Sequence, residues 1–306
     1  MSVLALDVGG RHISSAWVED VVVRTLMRTN VDLSNLCQSA GGHAGKILLE
    51  TLAGHIRQRL DQHPTRAVAL AVPGFITAEG MVIASPNLPG IDNLPLRQLL
   101  ADTLGIRVTV VNDALGAARG AWLLKTPHPR SLAILTIGTG VGGGLILNGQ
   151  PVVGDGGTAM EIGHLLAVPN GHLCGCGKRG CLEQYASASA LARLDGLSGN
   201  GGRDAETLAS AARSGEAKAR DLFRKAGTHI GCAVATLVSL VDVRTVRFAG
   251  GLTYSWDLLE EGLHSALAHH LVPALRGCID VAPVPPTEID RIALIGAADL
   301  ASGQHL

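Results

Sequence analysis

The densest group of chemically capable side chains lies between residues 161 and 183. It reads Glu161-Ile162-Gly163-His164, nine further residues, then Cys174-Gly175-Cys176-Gly177-Lys178-Arg179-Gly180-Cys181-Leu182-Glu183. One imidazole and three thiolates at this spacing form the Cys₃His set of a structural zinc, complete at four ligands and without an open position for a catalytic water. The glycines let the thiolates converge from a short loop. Unrelated buried thiols are the plain alternative, but chance seldom places a histidine beside CxCx₄C. A metal without a catalytic water has the task of holding Glu161, His164 and Glu183 in place, and carboxylates that close together suit sugar hydroxyls. The other cysteines, Cys37, Cys232 and Cys278, stand alone. The pattern is metal spacing rather than a disulfide framework.

Two glycine-rich turns follow apolar runs, Asp7-Val8-Gly9-Gly10 and Gly138-Thr139-Gly140-Val141-Gly142-Gly143-Gly144. Such turns bring successive backbone N–H groups within reach of phosphate oxygens, because no Cβ blocks the approach. Asp7 can hold a magnesium ion or its waters, and Thr139 can donate its hydroxyl to a β- or γ-phosphate. The same glycines can also do no more than make tight turns. Neither loop matches GxxxxGK[ST] or lies in the GxGxxG context of a dinucleotide-binding unit, so a Rossmann reading is disfavoured.

Asp113 follows an apolar run and adjoins Asn112, a position at a strand's C-terminal end where catalytic carboxylates gather. There an aspartate can orient an attacking hydroxyl and accept its proton during phosphoryl transfer. Taken alone, Asn-Asp after a strand is more often a turn or a helix cap.

Positioning these groups requires strands that end at the loops. Strands are predicted over 3–6, 13–18, 67–72, 107–111, 132–137 and 243–248 from their apolar, β-branched composition and the glycine or proline that stops them. Helices are predicted over 45–60, 114–124, 204–214 with Asp204 as N-cap, 216–241 and 290–301. Asn148-Gly149 between two short apolar runs is the strongest hairpin signal, since a type I′ turn needs φ > 0 twice. The stretch 198–203 reads as a surface loop. Pro127 and Pro129 break the chain near its middle, and the expected lobes are 1–120 and 121–289, with helix 290–306 packed back on the first.

The chain has 306 residues, 47% hydrophobic, enough to bury a substantial core in two domains. Its 25 basic and 26 acidic side chains nearly cancel and no basic run gathers, so a nucleic-acid partner is not expected. No segment approaches the ~20 apolar residues of a membrane span and no leader is visible, which predicts a cytoplasmic protein with small partners. Aromatics are 3% while glycines number 39, so the core must be aliphatic and many turns must approach something closely.

The sequence resembles the family of repressors, open reading frames and sugar kinases, and is most similar to its bacterial glucokinase-type members. The matching pieces are DVGG at Asp7, SPNLPG at Ser85, VNDA at Val111, IGTGVGGG at Ile137, EIGH at Glu161, CGCGKRGCLE at Cys174 and AGG at Ala249. The resemblance implies a two-lobed α/β actin-like ATPase (ribonuclease H-like) fold with ATP and sugar in the cleft between lobes, and transfer of the γ-phosphoryl group to a hexose. It implies Asp113 as base, with Asn87, Asn112, Asp113, Glu161, His164 and Glu183 on the sugar. His164, Cys174, Cys176 and Cys181 would bind zinc. Gly9, Gly10, Gly138, Thr139 and Gly140 would line the phosphates with Asp7 and magnesium, and Gly250 and Gly251 would lie against the adenosine. Homodimers are common in the family, so a homodimer is expected.

Two positions depart from the family. Arg11-His12 replaces the usual Thr-Lys; Arg11 either binds phosphate as a fork or crowds the site. Met160 stands where many relatives carry glycine. The leading expectation is an ATP- and Mg²⁺-dependent kinase for the 6-hydroxyl of glucose or a close relative. An N-acetylmannosamine or N-acetylglucosamine kinase is the alternative, and Glu161 favours the plain hexose because some N-acetylmannosamine kinases carry histidine there. The competing class is a non-catalytic sugar-binding relative of the repressor branch. Repressors precede the first strand with a winged helix-turn-helix, whereas here the strand starts at Val3, so DNA binding is not expected.

Overall fold

The computed structural model describes residues 2–197 and 202–302. The predicted surface loop at 198–203 therefore lies mostly outside the described residues. In chain order the elements are β1 (Val3–Val8), β2 (His12–Glu19), β3 (Val22–Asn30), α1 (Leu33–Ala40), α2 (Ala44–Gln62), β4 (Ala67–Val72), β5 (Phe75–Ile76), β6 (Val82–Ala84), β7 (Asp92–Leu94), α3 (Leu96–Leu104), β8 (Arg107–Asn112) and α4 (Asp113–Leu124). They continue with β9 (Leu132–Ile137), β10 (Val141–Leu147), β11 (Gln150–Pro151), α5 (Glu183–Ala186), α6 (Ala188–Gly196), α7 (Ala205–Arg213), α8 (Ala217–Val241), β12 (Thr245–Ala249), α9 (Trp256–His270), β13 (Asp280–Pro283) and α10 (Pro286–Ala301).

Two compact units result, one of Met1–Arg130, Gly144–Met160 and Thr287–Leu306, the other of Ser131–Gly143 and Glu161–Pro286. The first unit thus reaches past residue 120 and takes in a segment, Gly144–Met160, that lies within the expected second lobe. Its main sheet has the order β3-β2-β1-β4-β8, with β1, β4 and β8 parallel and β2 and β3 added antiparallel. Alternation along β1 and β4 sorts the side chains into two cores. Leu4, Leu6, Val68, Leu70 and Val72 face one core with Leu48, Leu52 and Ile56 of α2 and Leu96 and Leu100 of α3. Ala5, Ala69 and Ala71 face the other, with Leu115 of α4 and Leu294, Ile295 and Ala298 of α10.

Alanines on that second face leave room for two helices that cross at backbone contact. A Cβ at Gly120 of α4 would meet the carbonyl oxygen of Ile292, and one at Gly296 of α10 would meet that of Gly116, at 1.9 and 1.8 Å. Arg119 and Asp299 clamp the same crossing at 2.7 Å.

In the second unit β9, β12 and β13 run parallel, and α8 lies along α9, where Gly227, Gly231 and Gly262 face backbone of the opposite helix. Asp204 caps α7 by accepting from Thr207 N at 2.7 Å, as predicted. The predicted hairpin forms in the first unit, with Asn148 at φ 52° and Gly149 at φ 79° between β10 and β11. Among the described residues, no helix is long and apolar enough to cross a membrane.

Candidate active site and metal centre

In the first unit, register places Asp7 of β1 beside Ala71 of β4, and Val72 of β4 beside Asn112 of β8. Asp7, near the end of β1, and Asp113, directly after β8, therefore lie at the C-terminal ends of two parallel strands with β4 between them. Asn112 is the N-cap of α4: its Oδ1 accepts from Leu115 N at 3.0 Å, while its Nδ2 donates to Gly74 O at 2.9 Å. The capping reading is thus correct for Asn112, whose remaining Nδ2 hydrogen is what it can offer a ligand. The cap also fixes Asp113 as the first residue of α4, where Asp113 Oδ1 accepts from Ala114 N at 2.8 Å.

Both aspartates are half-buried, and both titrate high. Desolvation raises Asp7 to about 7, helped by the charges of Asp113 and Asp290 and opposed by Arg28. Desolvation raises Asp113 to about 6, opposed by the backbone N–H groups at the helix start. A carboxyl poised there can exchange a proton with a hydroxyl near neutral pH.

The first glycine turn lies beside this pair. Gly9 N donates to His12 O at 2.9 Å, and Gly10 O accepts from Ser34 N at 2.8 Å. A Cβ on Gly10 would approach Asn87 O to 3.2 Å, so the segment carrying Asn87 lies over the turn. Asn87 and Arg11 are exposed. Arg28 Nη2 donates to His12 Nδ1 at 3.3 Å. Burial and the Arg28 charge lower His12, against the pull of Asp290. Arg28 and Asp290 were missed from sequence; Asp290 was visible as an acid within a predicted helix, whereas Arg28 required β3.

In the second unit, His164, Cys174, Cys176 and Cys181 gather with one donor atom each, all within 4.8 Å of one another, and form the sole such group among the described residues. Cys174 Sγ lies 3.7 Å from His164 Nδ1, and Cys176 Sγ lies 3.6 Å from Cys181 Sγ. A tetrahedral ion with ~2.3 Å bonds to sulfur and ~2.0 Å to nitrogen has donor–donor edges of about 3.5–3.8 Å, so the donor set fits zinc. Burial and the two neighbouring thiols push Cys181 up to about 12, a crowding that a divalent cation relieves. The loop geometry is set locally: Cys174 N donates to Lys178 O, Gly177 N to Cys174 O, and Gly180, at φ 79°, would place a Cβ 1.8 Å from Val168 O.

With Nδ1 facing the sulfurs, His164 turns Nε2 toward Glu161 Oε2, 3.9 Å away. Glu183 begins α5, and its Oε2 accepts from Val141 N at 3.1 Å in the second glycine turn. In that turn Gly138 N donates to Gly140 O at 2.9 Å and Thr139 is exposed at the tip. Gly250, at φ 92°, seats its backbone against Ile137, where a Cβ would lie 2.6 Å from the carbonyl oxygen. This joins the Ala249-Gly250-Gly251 turn to the second glycine turn. Gly138 and Gly251 have open space where a Cβ would stand.

The ROK family model matches residues 3–304. The chain belongs to the ROK family. This ROK protein is 33% identical to N-acetylmannosamine kinase of Salmonella heidelberg over all of both chains. Among solved structures it is similar to a ROK family glucokinase from Streptomyces griseus in complex with glucose and AMPPNP, with TM-score 0.81, 27% identity and 99% of each chain covered. A ROK hexokinase from Thermus thermophilus matches with TM-score 0.78 and 27% identity, over 99% of this chain and 100% of that one. These likenesses show the predicted actin-like ATPase fold.

Proposed function

We propose that this ROK protein is an ATP- and Mg²⁺-dependent sugar kinase that transfers the γ-phosphoryl group to the 6-hydroxyl of a hexose. The observation that carries the reading is Asp113, a half-buried carboxylate fixed at the first turn of α4 and raised to about 6. In this reading Asp113 orients the sugar hydroxyl and accepts its proton as the oxygen attacks the γ-phosphorus, and the bond to the ADP oxygen breaks. Asp7 would hold the waters of the magnesium bound with ATP, which would neutralise phosphate charge. Gly9, Gly10, Arg11, Gly138, Thr139 and Gly140 face the phosphates; Gly250 and Gly251 face the adenosine. Asn87, Asn112, Glu161, His164 and Glu183 bind the sugar. His164, Cys174, Cys176 and Cys181 would hold zinc, which would fix the His164 tautomer and with it the direction of Nε2.

The full-length likeness to N-acetylmannosamine kinase moves that sugar ahead of glucose. Glu161 and the likeness to the Streptomyces griseus glucokinase keep glucose as the second reading. A coupled ADP-release screen over N-acetylmannosamine, N-acetylglucosamine, glucose, mannose, allose and fructose, run beside Asp113→Asn, tests the proposal. At least one sugar is expected to release ADP far above the variant's background. If none does, the kinase reading fails and a non-catalytic sugar-binding protein takes its place.

A further inference from the structure

Glu183 touches two features that sequence reasoning kept apart. Its Oε2 accepts from the backbone N–H of Val141, and a Cβ on Gly140 would clash with that same oxygen. Its Oε1 lies against Cys174 Sγ at 3.8 Å. Along the chain Glu183 is two residues from Cys181, whose carbonyl accepts from Gln184 N at 3.0 Å, so the start of α5 moves with that metal ligand. The Cys174 contact is one that only a protonated thiol can donate, so with the thiolate on a metal the tie runs from the glycine turn through the Glu183 carboxylate and the α5 backbone to Cys181.

We propose that Glu183 is a positioning residue that ties the metal-ligand loop to the second glycine turn, so that metal binding orders phosphate-facing backbone as well as sugar-facing side chains. The nucleotide half of this rests on the kinase reading; the link between metal and turn does not. Gly140 is glycine because the Glu183 oxygen occupies the space of a side chain. Loss of the metal then weakens nucleotide binding even without sugar.

The test is hydrogen exchange of the peptide covering residues 137–144 in the full-length protein, before and after zinc removal with 1,10-phenanthroline, in wild type, Glu183→Ala and Glu183→Gln. Zinc removal is expected to speed exchange of this peptide in wild type and in Glu183→Gln, whose amide oxygen still accepts from Val141 N. In Glu183→Ala the exchange is expected to be fast already and unaffected by zinc. Unchanged exchange in zinc-depleted wild type, or an equal acceleration in Glu183→Ala, overturns the proposal. Should Glu183→Ala fold poorly, Gly140→Ala, whose Cβ would displace the same Glu183 oxygen, takes its place in the comparison. MgADP titration without sugar is read in parallel, with affinity about fivefold weaker in Glu183→Ala, the effect of one hydrogen bond, and within twofold of wild type in Glu183→Gln. Wild type that binds no MgADP counts against the kinase reading and leaves the exchange result to judge the link.

Discussion

Asp7 and Asp113 stand at the C-terminal ends of the first unit's parallel strands β1 and β8, and the charge of Asp113 is a cause of the raised pKa of Asp7. Two carboxylates held near each other in a desolvated place lose their protons in two steps, here at about 6 and about 7.

The sign of the stability effect follows from both pKa values lying above the unfolded value. Native protein binds protons that the unfolded chain releases, so this contribution is complete below about pH 4 and is lost as pH rises through 6 and 7. Asp7→Asn removes it. Thermal unfolding without nucleotide or magnesium should show Asp7→Asn more stable than wild type at pH 8, by ~2 °C or more, and not at pH 4. Equal shifts at both pH values would contradict the raised carboxylates.

The crossing of α4 and α10 admits no side chain at Gly120. Gly120→Ala should cost ~3 kcal/mol or prevent folding, because the Cβ would lie 1.9 Å from Ile292 O in backbone that cannot yield cheaply. Gly54→Ala on α2 meets nothing within 4 Å and should instead stabilise by ~0.5–1 kcal/mol. Urea unfolding of the two variants measures the contrast.

Met160 adopts φ 68°, a left-handed conformation that a side chain makes unfavourable. Its replacement of the family's glycine has a physical cost. Met160→Gly should stabilise by ~1 kcal/mol in the same unfolding assay; a loss of stability would mean that the Met160 side chain contributes more than its backbone costs.

Elemental analysis of purified protein should give near-stoichiometric zinc. Cys176→Ser removes one of four donors, and should lower zinc content, melting temperature and sugar affinity together. Full zinc retention in that variant would contradict the ligand set.

What the sequence revealed and what it hid divide along locality. The cysteine cluster was legible because all its ligands lie within one short loop, and β1, β4, β8 and β9 because buried parallel strands are continuous apolar runs. β3 was missed because most of its side chains are exposed, so Val22–Asn30 carries no alternation. With it went Arg28, whose charge acts on Asp7 from across Ser14. The small sheet β5-β6-β7 has strands of two and three residues, too short for any period to register. Gly116, Gly120 and Gly296 fall within predicted helices, and only the crossing of α4 and α10 shows that a side chain there would meet backbone. Glu183 was read as a sugar ligand; that Val141 N–H also reaches it from the glycine turn is not indicated by its spacing.

The central claim is that Asp113 takes the proton in phosphoryl transfer. Steady-state kcat of Asp113→Asn with the best sugar of the screen tests it most directly, with MgADP and sugar affinities measured on the same preparation. The account predicts kcat lower by about 10²–10⁴-fold with both affinities largely kept. A variant within tenfold of wild-type kcat would contradict it.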